Sequence, residues 1–274
     1  MEVGSGKACA GRAAFNYRGC VTGQEVALYV KAHFCEELTR LQSFKSKCYK
    51  EALEECFFKM DEMMQSREGQ RELNQLNPDS FGENNKSYAG CTATVVLVTK
   101  TEIYCANSGD SRTVLAKGGQ AKDMSKDHKP DDSEEMRRIM NAGGFVEDGR
   151  VNGMLALSRA LGDFEYKSNT VLDPSQQVVT AFPEVRIEPI MADTQFILLA
   201  CDGIWDVKTS QEAVTFMHKT IYKNQFGAAR RSLQELSRGM ELLLDDCCAR
   251  DLTTSQGLGC DNMTAIIVEL ASGK

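Results

Sequence analysis

Between residues 23 and 64 the chain alternates apolar and polar positions with a helical period: Val26, Val30, Phe34 and Leu38, then, after a short polar break, Leu53, Phe57, Met60 and Met64. That spacing puts each set on one face, and predicts two antiparallel helices forming an outer layer. Residues 65–88 are polar and contain Asn-Pro-Asp, Phe-Gly-Glu and Asn-Asn, which predicts a surface loop. Beyond Gly90 the pattern switches to short strands at 92–99, 102–107 and 112–116, with Lys117-Gly118-Gly119-Gln120 as a hairpin turn. A helix is expected after Pro130, because Asp131, Asp132, Glu134 and Glu135 suit the positive end of its dipole; Asn141-Ala142-Gly143-Gly144 stops it. Further strands are expected around 144–151, 178–189 and 196–201. A long helix over about 229–248 lines up Leu233, Leu236, Met240, Leu243, Leu244 and Cys247, and a strand over 263–270 closes the pattern. Central strands with helices before, between and after them predict an α+β fold, with sheets covered by helix pairs.

Three of these strand ends carry carboxylates. They are Asn107-Ser108-Gly109-Asp110-Ser111-Arg112, Ala200-Cys201-Asp202-Gly203-Ile204-Trp205-Asp206 and Gly259-Cys260-Asp261-Asn262-Met263-Thr264. The carboxylates Asp110, Asp202, Asp206 and Asp261 can converge on hard cations. Oxygen donors without a His or Cys cluster favour Mg2+ or Mn2+ over zinc, and point to metal-assisted hydrolysis.

Composition narrows the classes. The 274 residues suffice for one large domain, over which the motifs are evenly spread. A net charge of −7 (32 basic against 39 acidic side chains) offers no electrostatic footprint for nucleic acid or an anionic membrane. The longest apolar run, residues 196–201, is too short to span a bilayer, and the first residues hold no apolar signal core. Eleven cysteines without a C-x-x-C pair read as buried reduced thiols, so an intracellular protein, cytoplasmic or nuclear, is expected. Of the three histidines, His33 and His218 lie in helical segments and read as surface or partly buried polar residues, and His128 lies in an Asp-His-Lys-Pro turn.

The three carboxylate segments, together with Asp127-His128-Lys129-Pro130 and the stretch Val151-Asn152-Gly153-Met154-Leu155-Ala156-Leu157-Ser158-Arg159-Ala160-Leu161-Gly162-Asp163, resemble the metal-dependent protein phosphatases of the PP2C (PPM) family. The resemblance runs from roughly Gly23 to Leu270 in the family's order. It implies a four-layered α-β-β-α sandwich with a metal cleft at one end of the sheets, and a phosphoserine/phosphothreonine phosphatase in which two bridged ions hold the attacking water. By position, Asp202 and Asp261 resemble ligands of one paired ion, while Asp110 and Asp206 resemble carboxylates of a further, weaker site shared with Asp202. The implied partners are phosphoprotein substrates, met by a monomer. Ser158 is expected to shape the site rather than act as a nucleophile, and His128 to be structural.

The resemblance breaks down before Gly23. There the family carries an Asp-Gly-His-Gly-Gly stretch that bridges both metals and supplies an acid, whereas this chain reads Phe15-Asn16-Tyr17-Arg18-Gly19-Cys20-Val21-Thr22-Gly23. Depending on whether one residue is slipped, Arg18 or Gly19 stands for the bridging Asp and Cys20 or Val21 for the His; neither alignment leaves a bridging carboxylate, and Arg18 placed nearby would add a repelling cation. Residues 1–22 are therefore expected to be an atypical or truncated segment before a phosphatase domain at 23–274, lacking the first strands and leaving a sheet edge unpaired. Two functions follow: the metal-dependent phosphatase, and an impaired pseudophosphatase that binds or regulates.

Overall fold

The structure, a computed structural model, describes residues 11–17, 24–77, 89–222 and 231–270. In chain order the elements are β1 (Gly11–Tyr17), α1 (Gln24–Arg40), α2 (Gln42–Lys45), α3 (Tyr49–Gln65), α4 (Arg67–Leu76), β2 (Gly90–Val98), β3 (Glu102–Ser108), β4 (Arg112–Lys117) and β5 (Gln120–Asp123). There follow α5 (Ser133–Asn141), β6 (Val146–Glu147), β7 (Arg150–Val151), β8 (Leu161–Gly162), β9 (Glu184–Pro189), β10 (Thr194–Ala200), α6 (Asp202–Trp205), α7 (Ser210–Thr220), α8 (Leu233–Cys247) and β11 (Ala265–Glu269). One sheet runs β1-β2-β3-β9, with β8 against the start of β2; the other runs β11-β10-β4-β5; β6 and β7 make a small separate hairpin.

Side-chain alternation assigns the layers. On β2, Cys91, Ala93, Val95 and Leu97 pack with Val26, Val30 and Phe34 of α1 and Phe57 and Met60 of α3. The intervening Val96 packs with Leu115 of β4 and Ile197 and Leu199 of β10, between the sheets. On β10 the other parity, Phe196, Leu198 and Ala200, meets Val214 and Met217 of α7 and Leu243 of α8. A period of two with both faces buried requires a helical layer outside each sheet and a shared core between them, which is the expected α-β-β-α sandwich. That shared core is not uniform. It is apolar around Val96, Ile103, Leu115 and Ile197. Toward the start of β4 it turns polar, with Thr94 Oγ1 2.8 Å from Thr113 Oγ1 and Thr92 Oγ1 3.0 Å from Ser111 Oγ.

The elements depart from the sequence expectations in three places. The polar stretch expected to be loop contains α4, capped by Ser66 accepting from Gly69 N–H at 3.0 Å; only Gly69 and Leu73 of it are buried, so it carries almost no apolar stripe. Helix α7 is an addition, started by a capping box in which Thr209 and Glu212 satisfy each other's backbone N–H groups. And β1 pairs antiparallel with β2 along its whole length, Gly11 opposite Leu97 through Tyr17 opposite Cys91, so the segment set apart at residues 1–22 supplies an edge strand.

The short strand β8 is held to α3 by a buried ion pair. Lys167 Nζ lies 2.6 Å from Asp61 Oδ2 and 2.7 Å from Ala160 O, and Asp61 Oδ1 accepts from Gly162 N–H at 2.9 Å. Next in sequence, Asp163 occupies the left-handed region at φ 50° and donates its N–H to Ala89 O. Its carboxyl is buried against Gly90, and burial pushes it up to about 7. A carboxyl whose folded pKa is raised favours folding fully below its unfolded value and loses that contribution as pH rises through the folded one. Asp163→Asn, which keeps the shape without the charge, is expected to give no gain below pH ~4, a gain growing up to pH ~7, and a plateau on the order of 4 kcal/mol above it. Urea unfolding of both proteins across that range checks this; a gain independent of pH would contradict it.

Candidate functional site

Strand β10 brings the carboxylate segments together. Ala200, its last residue, pairs with Arg112 of β4 on one side and Ala265 of β11 on the other. The chain entering β4 (Asp110, Ser111), leaving β10 (Cys201, Asp202) and entering β11 (Asp261 to Thr264) therefore meets at one sheet end. It is the end where the sandwich interior is polar. Cys201 N–H donates to Thr264 O at 3.1 Å, and the Cys201 thiol lies 3.3 Å from Asn262 O. Trp205 Nε1 donates to Ala200 O at 2.8 Å and Arg112 O at 3.2 Å, while the Arg112 guanidinium sits 5.2 Å above the indole ring. Gly203 is required here, since a Cβ would stand 2.6 Å from Asn262 O.

The four carboxylates are not equivalent. Asp110 is fully buried, with Oδ2 2.7 Å from Lys129 Nζ. Asp202 is buried at the first turn of α6 and its Oδ1 accepts from Gly203 N–H at 3.0 Å. Asp206, on the following turn, is exposed and donates its backbone N–H to Asp202 O at 2.7 Å. Asp261 is exposed too, its Oδ1 accepting from Asn262 N–H at 2.7 Å. The register thus gathers all three segments at one end but buries only two of their four carboxylate side chains, Asp110 and Asp202. Their donor chemistry, carboxylate oxygen alone, fits a hard divalent cation. Among the described residues, no group of three or more His, Cys, Asp or Glu side chains stands together as a metal cage. Residues 18–23, where the bridging stretch was sought, lie outside the described residues.

The Asp127-His128-Lys129-Pro130 turn is fastened to Asp110's loop by three successive residues. Asp127 takes both oxygens to Arg112, at 2.9 and 2.8 Å; His128 N–H donates to Gly109 O at 3.0 Å; Lys129 reaches Asp110. Gly109, at φ 116°, lies against Thr92, where a Cβ would come within 2.4 Å of Cγ2. Burial, then the Arg159 charge, pushes the His128 imidazole down to about 3, so it is neutral near pH 7 and unsuited to donate a proton as imidazolium. His33 instead pairs with Glu72 at 2.8 Å, and His218 is buried against Phe196 and Tyr222.

Beneath this turn lies a charged network that joins Ser158 and Arg159 of the stretch 151–163 to Glu135 and Arg138 of α5. Glu135 meets Arg138 at 2.6 Å and Arg159 at 2.6 Å. Burial would raise the Glu135 carboxyl, but hydrogen bonds from Arg159 and the charges of Arg138 and Arg159 outweigh it and hold it well below the usual carboxylate range. Ser158 Oγ lies 2.7 Å from Glu135 Oε2 and 3.0 Å from His128 O. A base this acidic cannot activate the hydroxyl, which instead ties the network to the turn. Sequence marked Ser158 and Arg159 through the stretch 151–163, while for Glu135 and Arg138 the signal was only their helix-like i,i+3 spacing.

Ser158→Ala removes a donor to a buried carboxylate. It is expected to cost about 1–3 kcal/mol of stability while leaving Mn2+ binding unchanged. Denaturant unfolding and titration calorimetry check the two halves, and a lost Mn2+ signal with intact stability would reverse the assignment.

Comparison with known proteins agrees with this architecture. The sequence pattern of the family described as Protein phosphatase 2C matches residues 8–255. "Probable protein phosphatase 2C 3" of Paramecium tetraurelia is 47% identical over 248 residues, covering 90% of this chain and 79% of that protein. "Protein phosphatase 2C homolog 2" of Schizosaccharomyces pombe is 44% identical over 254 residues, 92% of this chain and 62% of that one. Among solved structures, a phosphatase from Toxoplasma gondii superposes with a TM-score of 0.69 at 22% identity, covering 95% of this chain and 86% of that chain. A Caenorhabditis elegans sex-determining protein does so with 0.70 at 23%, covering 94% and 56%. With the match spanning most of the sequence and the layers, register and strand-end carboxylates already in place, the chain belongs to the protein phosphatase 2C family.

Proposed function

We propose that this chain is a metal-dependent phosphoserine/phosphothreonine phosphatase whose centre lies where the loops of Asp110, Asp202 and Asp261 meet. The observation that carries this reading is the register of β10, which sets Ala200 between Arg112 and Ala265 and so draws the three loops to one polar sheet end. Asp202 and Asp261 would hold one ion, and Asp110 and Asp206, with Asp202, a second and weaker one. When bound, Mg2+ or Mn2+ supplies an activated water and screens the phosphate charge. The residues' own part is to present carboxylate oxygens from strand ends braced by Trp205 and Arg112. Phosphoproteins are the substrates, approached by a monomer, with residues 23–274 as the catalytic domain and β1 as the edge strand of its first sheet. The nine cysteines of the described residues are all free, which suits a reducing intracellular compartment, cytoplasmic or nuclear. No helix among the described residues is long and apolar enough to cross a membrane.

A second reading, a chain of the same fold that binds without turnover, is favoured by one observation: Asp110 is ion-paired to Lys129, and Asp206 and Asp261 are exposed. Initial rates on a phosphoserine peptide and on p-nitrophenyl phosphate, against Mn2+ concentration, separate the two. The phosphatase reading expects Mn2+-dependent turnover, lowered about a hundredfold or more by Asp202→Asn. Turnover equally low with and without Mn2+ would favour the binder. Because the Asp-Gly-His-Gly-Gly stretch is replaced by residues 18–23, replacing Gly19 to Gly23 with it is expected to raise the rate.

A further inference from the structure

We propose that Lys129 is a built-in, displaceable counter-cation for Asp110, so that a divalent cation gains this carboxylate only by ejecting the lysine ammonium. This rests on the reading of Asp110 as a metal ligand.

The geometry is asymmetric. Lys129 Nζ lies 2.7 Å from Asp110 Oδ2, yet the Asp110 side chain is 0% exposed and that of Lys129 is 42% exposed. A carboxylate withdrawn from water needs a compensating charge or hydrogen bonds. Lys129 supplies charge from the solvent side. Its backbone is anchored independently of its side chain. Arg112 clamps Asp127 through both carboxylate oxygens, His128 donates to Gly109 O, and the carbonyl of Lys129 accepts from Asp132 N–H at 3.1 Å. The stem alone can therefore swing into water while the turn keeps its place against the Gly109 and Asp110 backbone. A lysine suits that motion, being a compact, strongly hydrated charge on a flexible chain.

Two cations cannot share this acid at low cost. A metal on the Asp110 carboxylate would stand within a few Å of the ammonium if Lys129 stayed, and like charges at that range repel strongly away from bulk water. Lys129 thus does two things. It keeps Asp110 compensated and the loop ordered when no metal is bound, and it raises the metal concentration needed to occupy the acid. Within the turn the roles are divided: Asp127 is presented to Arg112, and Lys129 is directed at Asp110.

The test compares the full chain as wild type, Lys129→Met, Lys129→Arg and Asp110→Asn, by Mn2+ titration calorimetry, Mn2+ electron paramagnetic resonance and melting temperature with and without Mn2+. Lys129→Met is expected to bind Mn2+ about tenfold more tightly and to melt at a lower temperature without metal. Lys129→Arg, which keeps the charge, should follow the wild type, and in an Asp110→Asn background Lys129→Met should no longer alter Mn2+ affinity. Equal Mn2+ affinity in wild type and Lys129→Met overturns the role of Lys129 and leaves the metal site standing. Absence of Mn2+ binding in every variant overturns the metal reading and this proposal with it. If Lys129→Met does not fold, Lys129→Gln, which can still hydrogen-bond Asp110, is titrated with the same criteria.

Discussion

Everything at the candidate site depends on one strand being paired on both sides. Strand β10 lies between β4 and β11, and its apolar run from Phe196 to Ala200 is buried on both faces, one against α7 and α8 and the other against the opposite sheet. A strand in that position cannot slip by one residue, because every side chain would change faces at once. Its register therefore acts as a ruler for the loops at its end. Asp110, Asp202 and Asp261 are far apart in sequence, and no direct contact among them is needed to bring their segments together; the pairings of Ala200 with Arg112 and with Ala265 do so.

The second constraint is the gradient between the sheets. Apolar packing around Val96, Leu115 and Ile197 supplies cohesion. Hydroxyl pairs, Thr94 with Thr113 and Thr92 with Ser111, then lead toward the charged end. Had the apolar packing continued, Asp110 and Asp202 would be buried beside hydrocarbon, where an ionised carboxylate is costly. Threonine keeps the β-branched shape a strand prefers while offering a hydroxyl to its counterpart on the other sheet. The same pattern of residues thus serves the strands and prepares the polar end, so fold and site are one arrangement of alternating side chains.

Where period and burial coincide, the architecture was legible in the sequence. The positions Val26, Val30, Phe34 and Leu38 are all buried on α1, as their spacing requires, and the runs around Val96 and Leu198 are the central strands. Helix α4 was not legible, because a helix lying on the surface with Gly69 and Leu73 as its buried residues shows no stripe. Helix α7 was legible in principle through Thr209 and Glu212, a capping pattern ahead of Val214 and Met217. The carboxylates of the site could be read as motif positions, but not their environments: Asp110 and Asp206 look alike in sequence, and one is buried while the other is exposed. Burial of a polar side chain depends on which loops fold over it, and that is settled by register rather than by local pattern.

Charge compensation completes the argument. A chain with a net charge of −7 gathers acids at one end of its sheets, and the structure meets several of its buried acids with cations drawn from neighbouring segments. Lys129 meets Asp110, Arg138 and Arg159 meet Glu135, and Lys167 meets Asp61. These pairs differ in how firmly the cation is held. Lys167 and Arg138 are themselves buried, at 6% and 8% exposure, so removing either would strand a charge in the interior, whereas Lys129 is 42% exposed. A buried pair of the first kind specifies how segments dock, because both members must desolvate together. A half-exposed cation on a buried acid specifies much less about the fold. Its ammonium can return to water without being stranded in the interior, but the buried acid it leaves must then be compensated by another cation.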